Sequence, residues 1–292
     1  RAASGGHTET VMALLAVPAL DVNAAGVTGY TALILAAGAH GYTEVVTALL
    51  DAPCIDVNAA EQHGYTALIR AAGGGHIEIV TALLAAPGLN VNAVDVDPHT
   101  PGRTALMWAA KGGITETVTA LLAAPGLDVN AATGGGVTAL MLAAGRGYTA
   151  TVTALLAVPG IDVHAADGDG DTALMVAAGG GHTATVTALL AMPGIDVNAT
   201  DGQASTALIG AALGGHTETV RALLAMPGLD VNAARGDGNT ALMIAADEGH
   251  TETVTALLAA PGLDVNAAAG DGNTALILAA GDGYTEMVMA LL

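Results

Sequence analysis

Short apolar runs alternate with Gly-rich and polar stretches along the chain, and residues 171–205 show the pattern in full. Thr172 is followed by six apolar residues and then by three glycines, which predicts a first helix over about Thr172–Ala178, capped by the threonine hydroxyl. Apolar residues at helical spacing predict a second helix over about Thr183–Ala191, which Pro193-Gly194 ends. The Asp-, Asn- and Gly-rich remainder predicts an extended turn.

This pattern recurs in phase, since the triplet Thr-Ala-Leu returns at intervals of 35, 38 and then repeatedly 34 residues. Each unit is therefore predicted to be two short antiparallel helices with a projecting turn. Neither helix is long enough to be stable alone in water, so each must pack against the next copy in a stacked, all-α solenoid. We expect one continuous array over residues 1–292, with a partial repeat in 1–30. The full repeats begin near Thr31, Thr66, Thr104, Thr138, Thr172, Thr206, Thr240 and Thr274.

The string GHTETVTALLAAPGLDVNAAAGDGNTAL, residues 249–276, resembles the ankyrin repeat. That family's pattern runs from Gly-His through two leucines to Asp-Val-Asn-Ala, a turn and Thr-Pro-Leu-His. Here Thr-Ala-Leu followed by Met or Ile replaces Thr-Pro-Leu-His, and a Pro after the second helix lengthens the unit to 34 residues. The resemblance covers essentially the whole chain. It implies an ankyrin-type solenoid of helix-turn-helix repeats that binds other proteins without catalysis.

The charge balance narrows the range of partners. Charged residues make up only 12% of the chain, and their formal net charge is −20. Such a chain repels phosphate backbones and anionic lipid, so we expect no nucleic-acid partner and favour proteins with a basic surface. No apolar run approaches the length of a membrane span, which predicts no membrane insertion. The single cysteine, Cys54, excludes an intrachain disulfide and leaves the compartment open, cytoplasmic or extracellular.

The sequence contains few candidate catalytic or metal-binding residues. Histidines recur in one phase directly after the Gly between the two helices, so neighbouring copies lie roughly 10 Å apart and cannot share a metal ion. No nucleophile with a base and no phosphate-binding loop is present, and we expect neither an enzyme nor a cofactor. Asp167, Asp169 and Asp171 resemble the start of a calcium loop, but Ala178 stands where its bidentate Glu would be. They remain only a weak calcium candidate.

The family resemblance points to partner-binding positions. In ankyrin repeats the residue before each Thr and the two residues that end helix one face a concave groove and contact the partner. The residues that end helix one include Lys111 and Arg146. Tyr and Arg commonly anchor interfaces, which makes Tyr30, Tyr65 and Arg103 the best candidates at the first position. That position holds, in order, Tyr30, Tyr65, Arg103, Val137, Asp171, Ser205, Asn239 and Asn273.

Arg70 and Trp108 both occupy the fifth position of helix one. Leucine fills this position in several other repeats, which favours a core-filling role for Trp108, although it remains a partner-binding candidate. Arg70 is costly to bury and is expected to reach the groove. The turn between these two repeats is four residues longer than the other turns, and the extra residues lie within 95–102. An insertion at a turn tip either contacts a partner or has no effect on function.

The sequence is consistent with two functions. The first is a protein-binding scaffold that uses the groove and the turn tips. The second is a subunit of a fibre, stacked end to end or laterally; the near-identical later repeats and the regular outer-helix threonines favour it. Both ends repeat the interior pattern without a polar capping unit, so we expect residues 1–292 to be part of a longer array or a subunit covered by other copies. The outer-helix threonines are Thr47, Thr81, Thr119, Thr153, Thr187 and Thr255.

Overall fold

A computed structural model describes residues 1–38, 40–98 and 101–292. These residues form helices and turns, with isolated antiparallel bridges such as Ala166 with Thr172 and no β-strand, which confirms the predicted all-α class. A 3-10 helix spans Ala3–Gly5. The α-helices are α1 Thr8–Leu15, α2 Ala32–Ala37, α3 Thr43–Leu50, α4 Ala67–Gly74, α5 Ile77–Leu84, α6 Ala105–Lys111, α7 Thr115–Leu122, α8 Ala139–Ala144, α9 Thr149–Leu156, α10 Ala173–Gly179, α11 Thr183–Leu190, α12 Ala207–Leu213, α13 Thr217–Leu224, α14 Ala241–Asp247, α15 Thr251–Leu258, α16 Ala275–Gly281 and α17 Thr285–Leu291.

The predicted helix boundaries are confirmed to within one residue. Helix α10 begins directly after Thr172, whose hydroxyl accepts a hydrogen bond from the Met175 amide at 3.4 Å. Thr66 caps α4 in the same way, with the Ile69 amide at 3.2 Å. These side chains satisfy amide groups that a helix N-terminus otherwise leaves without partners.

Two compact units divide the chain, one comprising Arg1–Ala139 with Ala157–Ile161 and the other Leu140–Leu156 with Asp162–Leu292. Within the first unit, α2 packs on α4 and α4 on α6, while α1, α3, α5 and α7 stack beside them in order. Within the second, α10, α12, α14 and α16 form one row and α9, α11, α13, α15 and α17 the other. Within each unit, the helices of these rows thus meet their counterparts in the next repeat, as stacked repeats require.

Small and branched aliphatic side chains fill the space between successive repeats. In α4, Ala71 and Ala72 are fully buried and Leu68 is 1% exposed, and in α5 Val80 and Leu83 are fully buried. Alanine lets the helix backbones approach closely, which explains how a core with almost no aromatic residues remains closely packed.

Polar side chains join the repeats along the turns. The Asn198 amide nitrogen donates to the Gly228 carbonyl at 2.8 Å, and its oxygen accepts from the Asp230 amide at 2.8 Å. Between the helices, the Nε2 atom of His216 donates to the Gly179 carbonyl of the preceding repeat at 3.0 Å. The Asp-Val-Asn segments and these recurrent histidines therefore have a structural role in the second unit.

Candidate partner-binding site

The helix-one face of the first unit carries all six candidate residues. Tyr30 and Tyr65 lie directly before the N-cap threonines of α2 and α4, and Arg103 directly before that of α6. Each of the six side chains is half-buried, and their contacts link them into one group. We call this group the cation–aromatic cluster; it consists of Tyr30, Tyr65, Arg70, Arg103, Trp108 and Lys111.

Arg70 lies between the two tyrosines. Its Nη2 atom donates a hydrogen bond to the Tyr30 hydroxyl at 2.6 Å. Its Cζ atom lies 4.3 Å from the centre of the Tyr65 ring and 5.5 Å from that of Tyr30. A guanidinium so close to a ring face is attracted by the electron density of the ring, which fixes the Arg70 side chain without a carboxylate. Arg70 is half-buried, and its expected place in the partner-binding groove stays a prediction.

Trp108 forms the other half of the cluster. Its ring centre lies 5.7 Å from that of Tyr65, with the two planes tilted by 52°. The Arg103 Cζ atom lies 5.3 Å and the Lys111 Nζ atom 4.8 Å from the same indole. Trp108 is half-buried, which leaves part of the indole exposed on this face. The fifth position of helix one is also half-buried where Leu35 occupies it, whereas Ile244 is 7% exposed there, so the position lies at the edge of the core.

Asp95 holds the indole in place. Its carboxylate is completely buried, with one oxygen accepting from Trp108 Nε1 at 2.7 Å and the other from the Arg103 amide at 3.0 Å. A buried indole N–H usually requires such a partner. Glu61 holds the same place in the preceding repeat and is also buried, so an acidic residue at this repeat position was the signal that could have found Asp95. Residues 99 and 100 of the enlarged turn lie outside the described residues.

Comparison with family models matches the family described as "Ankyrin repeats (3 copies)" over residues 1–95, 41–133, 106–201, 140–235 and 174–269. The family described as "Ankyrin repeat" matches residues 271–292. The chain belongs to the ankyrin repeat family. The resemblance of its repeat motifs to the ankyrin repeat is confirmed over nearly the whole sequence. A comparison with curated proteins finds no match.

Membership of the family carries a general functional conclusion. Ankyrin repeats mediate protein–protein interaction and are generally non-enzymatic modules, so the ankyrin chain is an interaction scaffold in that broad sense. No helix in the described ranges combines the length and the apolarity of a membrane span.

The electrostatic setting keeps Tyr65 neutral. Burial raises the pKa of its hydroxyl, and the nearby carboxylates of Asp95, Asp97 and Glu61 raise it further, against an opposing contribution from Arg70. Because the ordinary value is already near 10, the Tyr65 hydroxyl remains protonated at neutral pH. It can therefore donate a hydrogen bond to a partner.

The acidic turn of the second unit is organised by its own backbone. One oxygen of Asp167 accepts from the amides of Asp169 and Asp171, both at 3.0 Å. In the part of the chain that the structure describes, no group of three or more His, Cys, Asp or Glu residues could hold a metal ion. The weak calcium candidate, Asp167, Asp169 and Asp171, gains no support from this geometry.

Proposed function

We propose that the chain binds a protein partner through the cation–aromatic cluster of its first unit. The contiguity of the cluster supports this proposal, since six large or charged side chains touch on a face where later repeats carry small ones. Tyr, Trp and Arg supply most of the anchors in known interfaces. At the position of Tyr30 and Tyr65, the last repeats carry Asn239 and Asn273.

Anchor truncation tests this proposal. The partner is first captured with the intact chain, and its binding to purified variants is then measured by calorimetry. Tyr65→Ala, Trp108→Ala or Arg103→Ala should each weaken binding by roughly 1–3 kcal/mol, whereas the matched changes Asn239→Ala and Asn273→Ala should have little effect. Equal losses from both sets would show that the binding face has no preferred segment, which would exclude the cluster as the anchor.

Self-association is a second candidate, favoured by exposed apolar side chains. In the first unit Met12 is 59% and Val17 51% exposed, and in the second Met289 is 69% exposed. Apolar surface of this kind commonly marks an interface. Light scattering of the native chain over a range of concentrations distinguishes the two: larger assemblies would support self-association, and a mass of 28.3 kDa throughout would exclude it.

A further inference from the structure

The guanidinium of Arg70 is held by aromatic rings and not by direct pairing with a carboxylate in the described part of the chain. In residues 1–38, 40–98 and 101–292, it makes no ion pair, and its Nε atom is buried with no hydrogen-bond partner. Its one side-chain hydrogen bond there goes to the neutral hydroxyl of Tyr30. The rings of Tyr30 and Tyr65 already hold the guanidinium, so a ligand would find it ordered before binding.

A cavity of about 330 Å³ opens beside this guanidinium. Its side-chain walls are Tyr65, Ile69, Arg70, His76 and Trp108, and Gly73-Gly74 leaves part of it free of side chains. A Cβ atom at Gly73 would lie 3.7 Å from the Cβ of Trp108, so the glycine backbone lies directly beside the indole. The cavity therefore combines one cation with aromatic surface, which suits a small acidic group that has an apolar neighbour.

We propose that this cavity receives the side-chain carboxylate of an Asp or Glu from the partner, with an adjacent apolar side chain of the same segment on Trp108. The planar guanidinium presents paired N–H donors that match a carboxylate, and partial exclusion of water strengthens such charge-assisted hydrogen bonds. This inference rests on the proposed function, since it names the chemistry that the cluster recognises.

The charge of the whole chain restricts the rest of that segment. With a net charge of −20, the chain repels a strongly acidic ligand at long range. A single carboxylate in an otherwise neutral or basic segment avoids most of this repulsion. The partner is therefore a protein with a neutral or basic surface that presents one acidic residue beside an apolar one.

Matched synthetic peptides test the inference on the full chain. Each peptide has a neutral Ser- and Gly-rich background, one Leu and one central residue, which is Glu, Gln, Lys or phosphoserine. Trp108 is the single tryptophan of the chain and lines the cavity, so its emission reports binding. The Glu peptide should bind about tenfold more tightly than the Gln peptide, as expected for a charged hydrogen bond in place of a neutral one.

Arg70→Leu should abolish this preference. Leucine stands at the equivalent position as Leu35, Leu142 and Leu278, so the variant is compatible with the repeat, and circular dichroism checks that it folds. Arg221→Thr removes an equal charge from an exposed helix-two position in the second unit, where Thr187 and Thr255 stand in the neighbouring repeats, and should keep the preference.

The outcomes separate this inference from the proposed function. Equal binding of the Glu and Gln peptides, with both weakened by Tyr65→Ala, would overturn the carboxylate site and leave the cluster as a binding surface. A preference that survives Arg70→Leu, tighter binding of the phosphoserine or Lys peptide, or no binding of any peptide would also overturn it. The capture experiment with Tyr65→Ala would still test the proposed function by itself.

Discussion

Asp171 lies directly before the N-cap Thr172, in an acidic turn of the second unit. Burial raises the pKa of its carboxyl, and Asp167, Asp201 and Asp169 add to the shift in that order. The folded chain therefore binds this proton more tightly than the unfolded chain does. The resulting contribution to stability is present below the unfolded pKa of about 3.9 and is lost as the pH rises through the higher folded pKa.

Asp171→Asn should consequently increase the free energy of unfolding at neutral pH. The difference from the parent chain should shrink on acidification and vanish once the carboxyl is protonated in both states. Asparagine is compatible with this position, since Asn239 and Asn273 occupy it in later repeats. Urea unfolding over a pH series measures the effect. A gain that does not change with pH would show that the substitution acts through something other than the charge.

Cys54 adopts a backbone conformation that favours glycine. Its φ is +64°, and the residue at the same place after Pro in the next repeat is Gly88, with φ +74°. Side-chain sterics make this region unfavourable by roughly 1–2 kcal/mol, partly offset by the greater freedom of glycine in the unfolded chain. We expect Cys54→Gly to stabilise the chain by about 0.5–1 kcal/mol in urea unfolding.

Gly88→Ala provides the matched control. A Cβ added at Gly88 would meet no atom within 4 Å, so the change tests the backbone conformation alone and should destabilise the chain by a similar amount. If both variants leave the unfolding midpoint unchanged, the positive φ at this position carries no cost.

At the scale of structural elements, the asparagine of the Asp-Val-Asn segment ties one turn to the next. Asn232 repeats the two bonds of Asn198, donating to the Gly262 carbonyl and accepting from the Asp264 amide, both at 2.8 Å. His164 stands at this place in the repeat that begins at Thr138, and its side chain makes no hydrogen bond within the described ranges. The asparagine link between successive turns is therefore missing there, although the Gly202 amide still donates to the Asp169 carbonyl at 2.8 Å.

His164→Asn should restore the connection. Because the bonds are exposed, we expect a gain of about 0.5–1.5 kcal/mol in the free energy of unfolding. The reverse change, Asn198→His, should cost a similar amount, and both can be measured by urea unfolding at a pH where histidine is neutral. A neutral result for both variants would mean that water replaces the asparagine amide without loss.

The elements were predictable from the sequence because their signals are local. Each signal acts within a few residues: Thr172 caps α10, glycines end it, and Pro193-Gly194 follows α11. The helix boundaries predicted from these signals are confirmed. The continuity of residues 1–292 as a single array stays a prediction.

The candidate site was predictable only in part. The repeat phase located its six residues, but their contacts depend on stacking, since Arg70 bonds to Tyr30 across 40 positions of the chain. The leucines at the position of Trp108 suggested a core-filling role, but they could not show that its indole meets Tyr65, Arg103 and Lys111. The hydrogen-bond partner of the indole, Asp95, is buried, as Glu61 is at the same place in the preceding repeat, and that burial depends on the packing of successive turns rather than on the local sequence.

At the scale of the whole molecule, the charges are poorly balanced. Against 27 acidic residues the chain has seven Lys and Arg, and the salt bridge recorded in the described residues, Arg221 with Glu218, is exposed. Exposed pairs of this kind contribute little. Self-repulsion among the acids should therefore destabilise the folded chain at low ionic strength.

Added salt should raise the melting temperature, because near 0.1 M ionic strength the electrostatic screening length falls to about 10 Å, the distance between neighbouring turns. Thermal unfolding followed by circular dichroism across a NaCl series measures this effect. CaCl2 and MgCl2 at equal concentration provide the control for specific binding: since the Asp167 carboxylate already accepts two backbone amides, calcium should stabilise no more than magnesium. A melting temperature that is insensitive to NaCl would show that repulsion is unimportant, and a gain confined to calcium would show that the acidic turn binds the ion specifically.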